Sequence, residues 1–92
     1  MLRTFSLHVT GKVQGVFYRQ HTKETARELG LTGTVMNLPD GSVNIIVTGP
    51  EEQVNKLTEW CRHGPARATV ENVVVKELPL QEFEEFKVIR RE

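Results

Sequence analysis

Residues 11–19, which read Gly-Lys-Val-Gln-Gly-Val-Phe-Tyr-Arg, contain the residue types from which an anion-binding loop is built. The two glycines let the backbone curl so that its N–H groups converge. A helical pattern begins as the segment ends, and the N-terminus of a helix attracts negative charge. Arg19 adds a guanidinium at that helix start. The segment therefore predicts a cradle for an anion, with a phosphoryl group as the obvious ligand.

No motif in the chain places a conventional catalytic group beside this loop. The loop lacks the Gly-Lys-Ser/Thr ending of a nucleotide-binding P-loop, and no Cys/His cluster has the spacing of a zinc site. His8, His21 and His63 are scattered, and none has an obvious serine or cysteine nucleophile near it in the sequence. We therefore expect neither a metal nor a cofactor.

A site with these components suits a substrate whose leaving group departs unaided. A phosphate ester releases an alkoxide and usually needs a metal or an acid, whereas an acyl phosphate releases a carboxylate, whose conjugate acid has an ordinary pKa of about 4. Stabilised phosphoryl oxygens and a positioned water can then suffice. Asn37 is the candidate for holding that water, because its amide donates and accepts without titrating. The local pattern leaves open that Arg19 is merely solvated and that Asn37 only leads into a turn.

The elements that position these residues follow from the pattern of apolar residues. Alternation predicts strands at residues 5–10, 33–38, 43–48, 68–76 and 83–89, and helical spacing predicts helices at 18–29 and 50–63. The turn at residues 39–41, Pro-Asp-Gly, makes a hairpin of the second and third strands. This order, βαββαβ with a fifth strand able to extend one edge, is the ferredoxin-like α+β sandwich, an antiparallel sheet with two helices on one face.

Length and composition restrict the class of protein. The 92 residues suffice for one small domain, and we expect residues 1–92 to form it. Twelve Lys and Arg balance twelve Asp and Glu, which argues against a nucleic-acid or membrane partner. Cys61 is the only cysteine and lies in an amphipathic helical run, so we expect it to pack in the core. With neither a signal peptide nor a membrane-spanning segment in the sequence, we expect the protein in the cytoplasm. We also expect it to be a monomer.

Two stretches of the chain together resemble the signatures of the acylphosphatase family. Residues 11–19 match the first signature nearly position for position, and residues 33–43, with Gly49 beyond them, look like the second. Chain length, element order and the closing residues 86–90 agree as well. The resemblance implies an acylphosphatase that hydrolyses the carboxyl-phosphate bond of acyl phosphates to a carboxylate and inorganic phosphate, without a metal.

The resemblance also implies roles for individual residues. Arg19 would bind the phosphoryl group and stabilise the transition state, and Asn37 would orient the attacking water. Backbone N–H groups would complete the phosphate cradle, namely those of Gln14, Gly15, Val16, Phe17 and Tyr18. Thr34 departs from the family, which commonly has an aromatic residue there. Strand alternation puts Thr34 on the face opposite Asn37, so we expect an effect on packing rather than on chemistry.

Three other interpretations use the same fold. A noncatalytic regulatory domain that binds a small anion would have the same cradle, and the disappearance of acyl phosphate distinguishes an enzyme from it. An RNA-binding module stacks bases on aromatic residues of its central strands, but those strands offer only Phe5, on the presumed core face. An acylphosphatase-like domain of a carbamoyl-transfer enzyme is expected within a much longer chain than these 92 residues.

Overall fold

The structure, a computed structural model, describes residues 1–90 and has five strands and two helices in the predicted order. The strands are β1 (Leu2–Lys12), β2 (Thr32–Asn37), β3 (Val43–Pro50), β4 (Thr69–Leu78) and β5 (Phe86–Ile89), and the helices are α1 (Tyr18–Glu28) and α2 (Glu51–His63). The ferredoxin-like α+β fold is thereby confirmed. Neither helix is long and apolar enough, within this range, to cross a membrane.

The five strands form one sheet in the order β4-β1-β3-β2-β5. Every neighbouring pair is antiparallel except β2 and β5, which run parallel. The prediction of a wholly antiparallel sheet was therefore wrong for its last strand. The reason is the path of the chain after β4: Gln81 bonds to the hydroxyls of Thr4 on β1 and Thr48 on β3. The chain thus crosses these central strands before β5 reaches the far edge of the sheet.

The core lies between one face of the sheet and the two helices. Alternate strand residues such as Leu7, Val35 and Ile45 are fully buried on that face. The buried residues of α2 recur at helical spacing and are Val54, Leu57, Thr58 and Cys61. In α1 the buried residues are Tyr18, Thr22 and Ala26, and Gly30 beyond that helix has the left-handed φ of 74° that is typical of a glycine at a helix end. Hydropathy periodicity thus located both helices.

Tyr18, the first residue of α1, fixes the start of that helix against α2. Its hydroxyl donates a hydrogen bond of 2.7 Å to the carbonyl of Cys61, and its ring lies 5.5 Å from that of Trp60, centroid to centroid. Burial raises the pKa of the Tyr18 hydroxyl and raises the pKa of the Cys61 thiol to about 12. Cys61 is therefore a buried packing residue, as predicted, and not a thiolate at neutral pH.

The strand β1 continues further than its alternation suggests. Gly11 and Lys12, which were predicted to open the loop, still pair with β4 across an irregularity between Thr10 and Gly11. Gly11 has a φ of 124°, and a side chain there would overlap the carbonyl of Thr69. Such a bulge interrupts the period of two, so the alternation cannot reveal the paired residues beyond it. The loop that connects β1 to α1 is therefore residues 13–17.

Gly33 marks the closest approach between β2 and β3. It is buried, has a φ of 145°, and would place a side chain against the carbonyl of Ile46. Only glycine accepts this backbone and this spacing without a shift of the neighbouring strand. The hairpin that ends in Asn37 therefore depends on Gly33.

We expect Gly33→Ala to lower the free energy of unfolding by about 2–4 kcal/mol, because it combines an overlap with a disfavoured backbone. Gly30→Ala is the matched control, since Gly30 also has a positive φ but has no atom within 4 Å of the added carbon. The Gly30→Ala variant should lower the free energy of unfolding by only about 1–2 kcal/mol. Urea unfolding followed by circular dichroism measures both. Equal losses in the two variants would contradict the close approach at Gly33.

Candidate active site

Residues 13–17 form a tight loop that ends at the N-terminus of α1. The side chains of Val13 and Val16 are buried and tie the loop to the core. Gly15 and Phe17 have left-handed φ values of 75° and 64°. In the described part of the chain, none of the hydrogen bonds uses the N–H groups of residues 14–18 as donors. A curled backbone with unpaired N–H groups at a helix N-terminus is an arrangement that binds anions.

The second part of the site is the turn at residues 37–42, which joins β2 to β3. The N–H of Leu38 donates to the carbonyl of Ser42 at 2.9 Å, and the carboxylate of Asp40 accepts from the N–H of Ser42, also at 2.9 Å. This second bond is the contact to the nearby backbone by which aspartate favours turns. The hydroxyl of Ser42 also donates to Asp40, and these bonds hold the pKa of the Asp40 carboxyl below its usual value. Hydrogen bonds within the turn therefore stabilise its conformation.

His8 on β1 adds a contact to the same turn. Its Nε2 lies 2.9 Å from the Ser42 hydroxyl oxygen. Since the proton of that hydroxyl is directed at the Asp40 carboxylate, Nε2 must be the donor to Ser42. His8 thus has a structural role as a brace of the turn, and no serine nucleophile is activated by it.

Gln14 connects the loop to the turn. Its side-chain amide donates to the carbonyl of Leu38 at 2.9 Å and to the carbonyl of Ser42 at 2.8 Å. The sequence analysis assigned only a backbone role to Gln14, because no sequence pattern shows which distant carbonyls face a side chain. The two bonds hold the loop and the turn at a fixed separation.

Between the loop, the start of α1 and the end of β2 lies an open pocket of about 280 Å³. It is lined by Val13, Gln14, Gly15, Phe17, Tyr18, Arg19, Gln20, Asn37 and Arg90. The structure thus brings Arg19 together with Asn37, 18 positions further along the chain. Of the predicted cradle residues only Val16 is not in the lining, because its side chain is buried behind the loop.

The pocket is positively charged although the chain as a whole is neutral. Its lining includes two arginines, Arg19 and Arg90, and no carboxylate among the described residues. None of the ion pairs within residues 1–90 involves either arginine. Both guanidinium groups therefore add to the attraction of an anion into the pocket.

Arg90 is the charged lining residue that was not predicted from the sequence. Because β5 runs parallel to β2, with Ile89 beside Met36, the end of β5 lies next to the end of β2 that carries Asn37. The next residue, Arg90, therefore reaches the pocket. The sequence signal for this was weak, since the direction of a four-residue edge strand is not encoded in its alternation.

Asn37 is the last residue of β2 and has an unusual side chain. Its Oδ1 is buried and has no hydrogen-bond partner within the residues that the structure describes. A buried acceptor without a partner costs about 1–3 kcal/mol, so such groups are rare and concentrate at functional sites. Thr34 lies on the opposite face of the same strand, as predicted from the alternation of exposed and buried residues.

The site offers little to a metal ion. Across the described residues, 1–90, no group of three or more His, Cys, Asp or Glu side chains is arranged to hold one. The polar groups of the pocket are amides, guanidinium groups and backbone N–H groups. Apart from the amide and backbone oxygens these are hydrogen-bond donors, which suit an anionic ligand better than a cation.

Comparison with known proteins agrees with the motifs and the geometry. Residues 5–88 match the family model described as Acylphosphatase. An acylphosphatase of Marinobacter nauticus is 53% identical over 87 residues, which are 94% of this chain and 95% of that protein.

Two solved structures are similar throughout. An acylphosphatase from Coxiella burnetii has a TM-score of 0.93 and 39% identity, with 96% of this chain and 93% of that chain covered. An acylphosphatase from Bacillus subtilis has a TM-score of 0.92 and 31% identity, with 97% and 99% covered. The family predicted from the two signatures is thereby confirmed. The chain belongs to the acylphosphatase family, whose members are enzymes that hydrolyse acyl phosphates.

Proposed function

We propose that this enzyme cleaves the carboxyl-phosphate bond in the pocket between residues 13–17 and the turn at residues 37–42. The phosphoryl oxygens accept hydrogen bonds from the Arg19 guanidinium and from backbone N–H groups, those of Gln14, Gly15, Val16, Phe17 and Tyr18. The observation that carries the proposal is the convergence of Arg19 and Asn37 on one pocket whose loop has unpaired N–H groups. Donors on one side and a water-binding amide on the other are what phosphoryl transfer to water requires.

Arg19 stabilises the charge that spreads over the phosphoryl oxygens in the transition state. A cation at a helix N-terminus is mildly unfavourable, and an anion between the guanidinium and the helix end reverses that penalty. The planar guanidinium can donate two parallel hydrogen bonds to a phosphoryl group. Because Arg19 takes part in no ion pair within residues 1–90, none has to be broken when substrate binds.

Asn37 orients the attacking water. Its side-chain amide, which lines the pocket, holds the water by a hydrogen bond and leaves an oxygen lone pair directed at phosphorus. The acyl carboxylate departs on the opposite side of the phosphorus, in line with the water, and one proton of the water passes to a phosphoryl oxygen, so that the products are a carboxylate and inorganic phosphate. With a pKa of about 4, that leaving group needs neither a proton nor a metal. The bonds from Gln14 keep the water and the phosphoryl group at a constant distance.

We also propose that the chain acts as a monomeric, cytoplasmic, single-domain enzyme without a nucleic-acid or membrane partner. The proposed domain is residues 1–92, of which residues 91 and 92 lie outside the described residues. A single buried cysteine is compatible with a reducing compartment. The equal numbers of basic and acidic residues support a small-molecule substrate rather than a polyanion.

Arg19→Ala should lower kcat/KM for benzoyl phosphate by ~10²–10³, which is the effect of losing one transition-state donor. Arg19→Lys should recover little of the lost kcat/KM, because an ammonium group lacks the planar pair of N–H donors of a guanidinium group. Arg62→Ala is the control, since Arg62 is exposed on α2 and pairs only with Glu59 among the described residues. A folded Arg19→Ala protein that hydrolyses benzoyl phosphate at the parent rate would refute this role.

Asn37→Ala should lower kcat by about 10²-fold or more, because the water loses the group that orients it. The inhibition constant of inorganic phosphate should stay within about twofold, since the cradle is intact. Thr34→Ala is the matched control on the opposite face of β2 and should leave kcat unchanged. Steady-state kinetics with phosphate as a competitive inhibitor separates the two effects. Normal turnover with weakened phosphate binding would reject the water-orienting role.

Hydrolysis of benzoyl phosphate should persist after dialysis against EDTA and should not increase with added Mg²⁺. The physical reason is that Arg19 and the backbone N–H groups supply the charge stabilisation that a metal would otherwise supply. A phosphate monoester with an alkyl leaving group should not be hydrolysed, because the lining formed by the described residues has no carboxyl or imidazole group to protonate an alkoxide. Activity that requires Mg²⁺, or comparable rates on the monoester, would count against the proposed mechanism.

A further inference from the structure

Phe17 combines two unfavourable features at the mouth of the pocket. It is the only non-glycine residue with a positive φ in the described range, and its side chain is 71% exposed. The left-handed conformation disfavours any residue with a Cβ, and an exposed aromatic ring contributes little to the stability of the core. The fold alone therefore gives no reason for a phenylalanine at this position.

The anion cradle does not need the ring either. The carbonyl of Phe17 accepts from the N–H of His21 at 3.1 Å, and its own N–H donates no hydrogen bond within the described residues. Glycine would adopt the same φ of 64° without strain. Residues held in a disfavoured conformation concentrate at functional sites, where the surroundings maintain them. The ring itself is thus the part of Phe17 that lacks an explanation.

The ring is the exposed apolar surface of the pocket. The other apolar lining residues, Val13 and Tyr18, are 1% and 2% exposed and belong to the core. The lining residues that remain are polar, charged or glycine. An acyl group attached to a phosphoryl group in the cradle extends towards the mouth of the pocket, because the loop closes the other side. The apolar group that it can contact there is Phe17.

Resting on the function proposed above, we propose that Phe17 is a specificity-determining residue that favours acyl phosphates with an apolar, aromatic acyl group. The ring selects by stacking on, or packing edge to face against, the acyl group. Arg90 at the same pocket does not oppose this choice. Its charge attracts the phosphoryl group that all acyl phosphates share, so it raises binding without distinguishing apolar acyl groups from one another.

The test compares kcat/KM for benzoyl phosphate with kcat/KM for acetyl phosphate in the parent and in two variants, Phe17→Gly and Phe17→Ala. The ratio of the two constants should fall by about twofold to tenfold in both variants, which corresponds to the loss of one aromatic contact. A change in the cradle itself affects both substrates alike and cancels in the ratio. Glycine relieves the backbone strain and alanine retains it, so agreement between the variants assigns the effect to the ring.

Two further variants complete the design. Phe17→Tyr keeps an aromatic ring and should preserve the ratio. Leu80→Ala removes an apolar side chain that is 56% exposed and lies outside the pocket, and should leave both constants unchanged. In the parent protein, benzylphosphonate should inhibit more strongly than methylphosphonate by a similar factor, and equal inhibition by the two would contradict the proposal.

An unchanged ratio in both Phe17→Gly and Phe17→Ala would overturn the proposal while leaving the proposed function intact. A preference of the parent for succinyl phosphate over benzoyl phosphate that Arg90→Ala abolishes would also overturn it, in favour of acidic acyl groups. If the parent hydrolyses neither acetyl nor benzoyl phosphate, the proposed function fails and this inference fails with it.

Discussion

The two hydrogen bonds donated by Gln14 are the interaction on which the geometry of the site depends. The loop at residues 13–17 connects β1 to α1, whereas the turn at residues 37–42 connects β2 to β3. Each is stabilised by contacts of its own. The loop is held by buried valines, and the turn by the Asp40–Ser42 bonds. Only Gln14 joins them directly through side-chain hydrogen bonds within the described residues. The proposed in-line reaction tolerates little error in the distance between water and phosphorus, so this connection sets the precision of the proposed site.

The positive charge of the pocket results from the arrangement of the strands and helices rather than from the amino-acid composition of the chain. The sheet brings the ends of β2 and β5 side by side, and the start of α1 lies against the middle of the core through Tyr18. Arg19 and Arg90, which are distant in the sequence, therefore meet at one end of the molecule. A neutral protein can in this way present a local positive field to a small anionic substrate.

The sequence predicted the features that depend on local chemistry. Apolar periodicity located both helices, and the Pro-Asp-Gly turn identified the hairpin whose strand ends in Asn37. It did not predict contacts that depend on the path of the chain in three dimensions. The parallel direction of β5, the arrival of Arg90 and the partners of Gln14 follow from packing between segments far apart in sequence. The bulge before Gly11 was not predicted either, because it breaks the alternation from which strands are predicted.

The unpaired N–H groups of the loop have a thermodynamic consequence for the protein as a whole. An anionic ligand that accepts hydrogen bonds from these groups binds the folded state and not the unfolded chain, and it therefore stabilises the folded state. Ligand binding and folding are thereby linked, and the melting temperature becomes a measure of saturation by phosphate-like ligands. Under this linkage the enzyme resists unfolding and proteolysis best while its substrate or product is abundant, and its lifetime in the cell depends on how much of either is present.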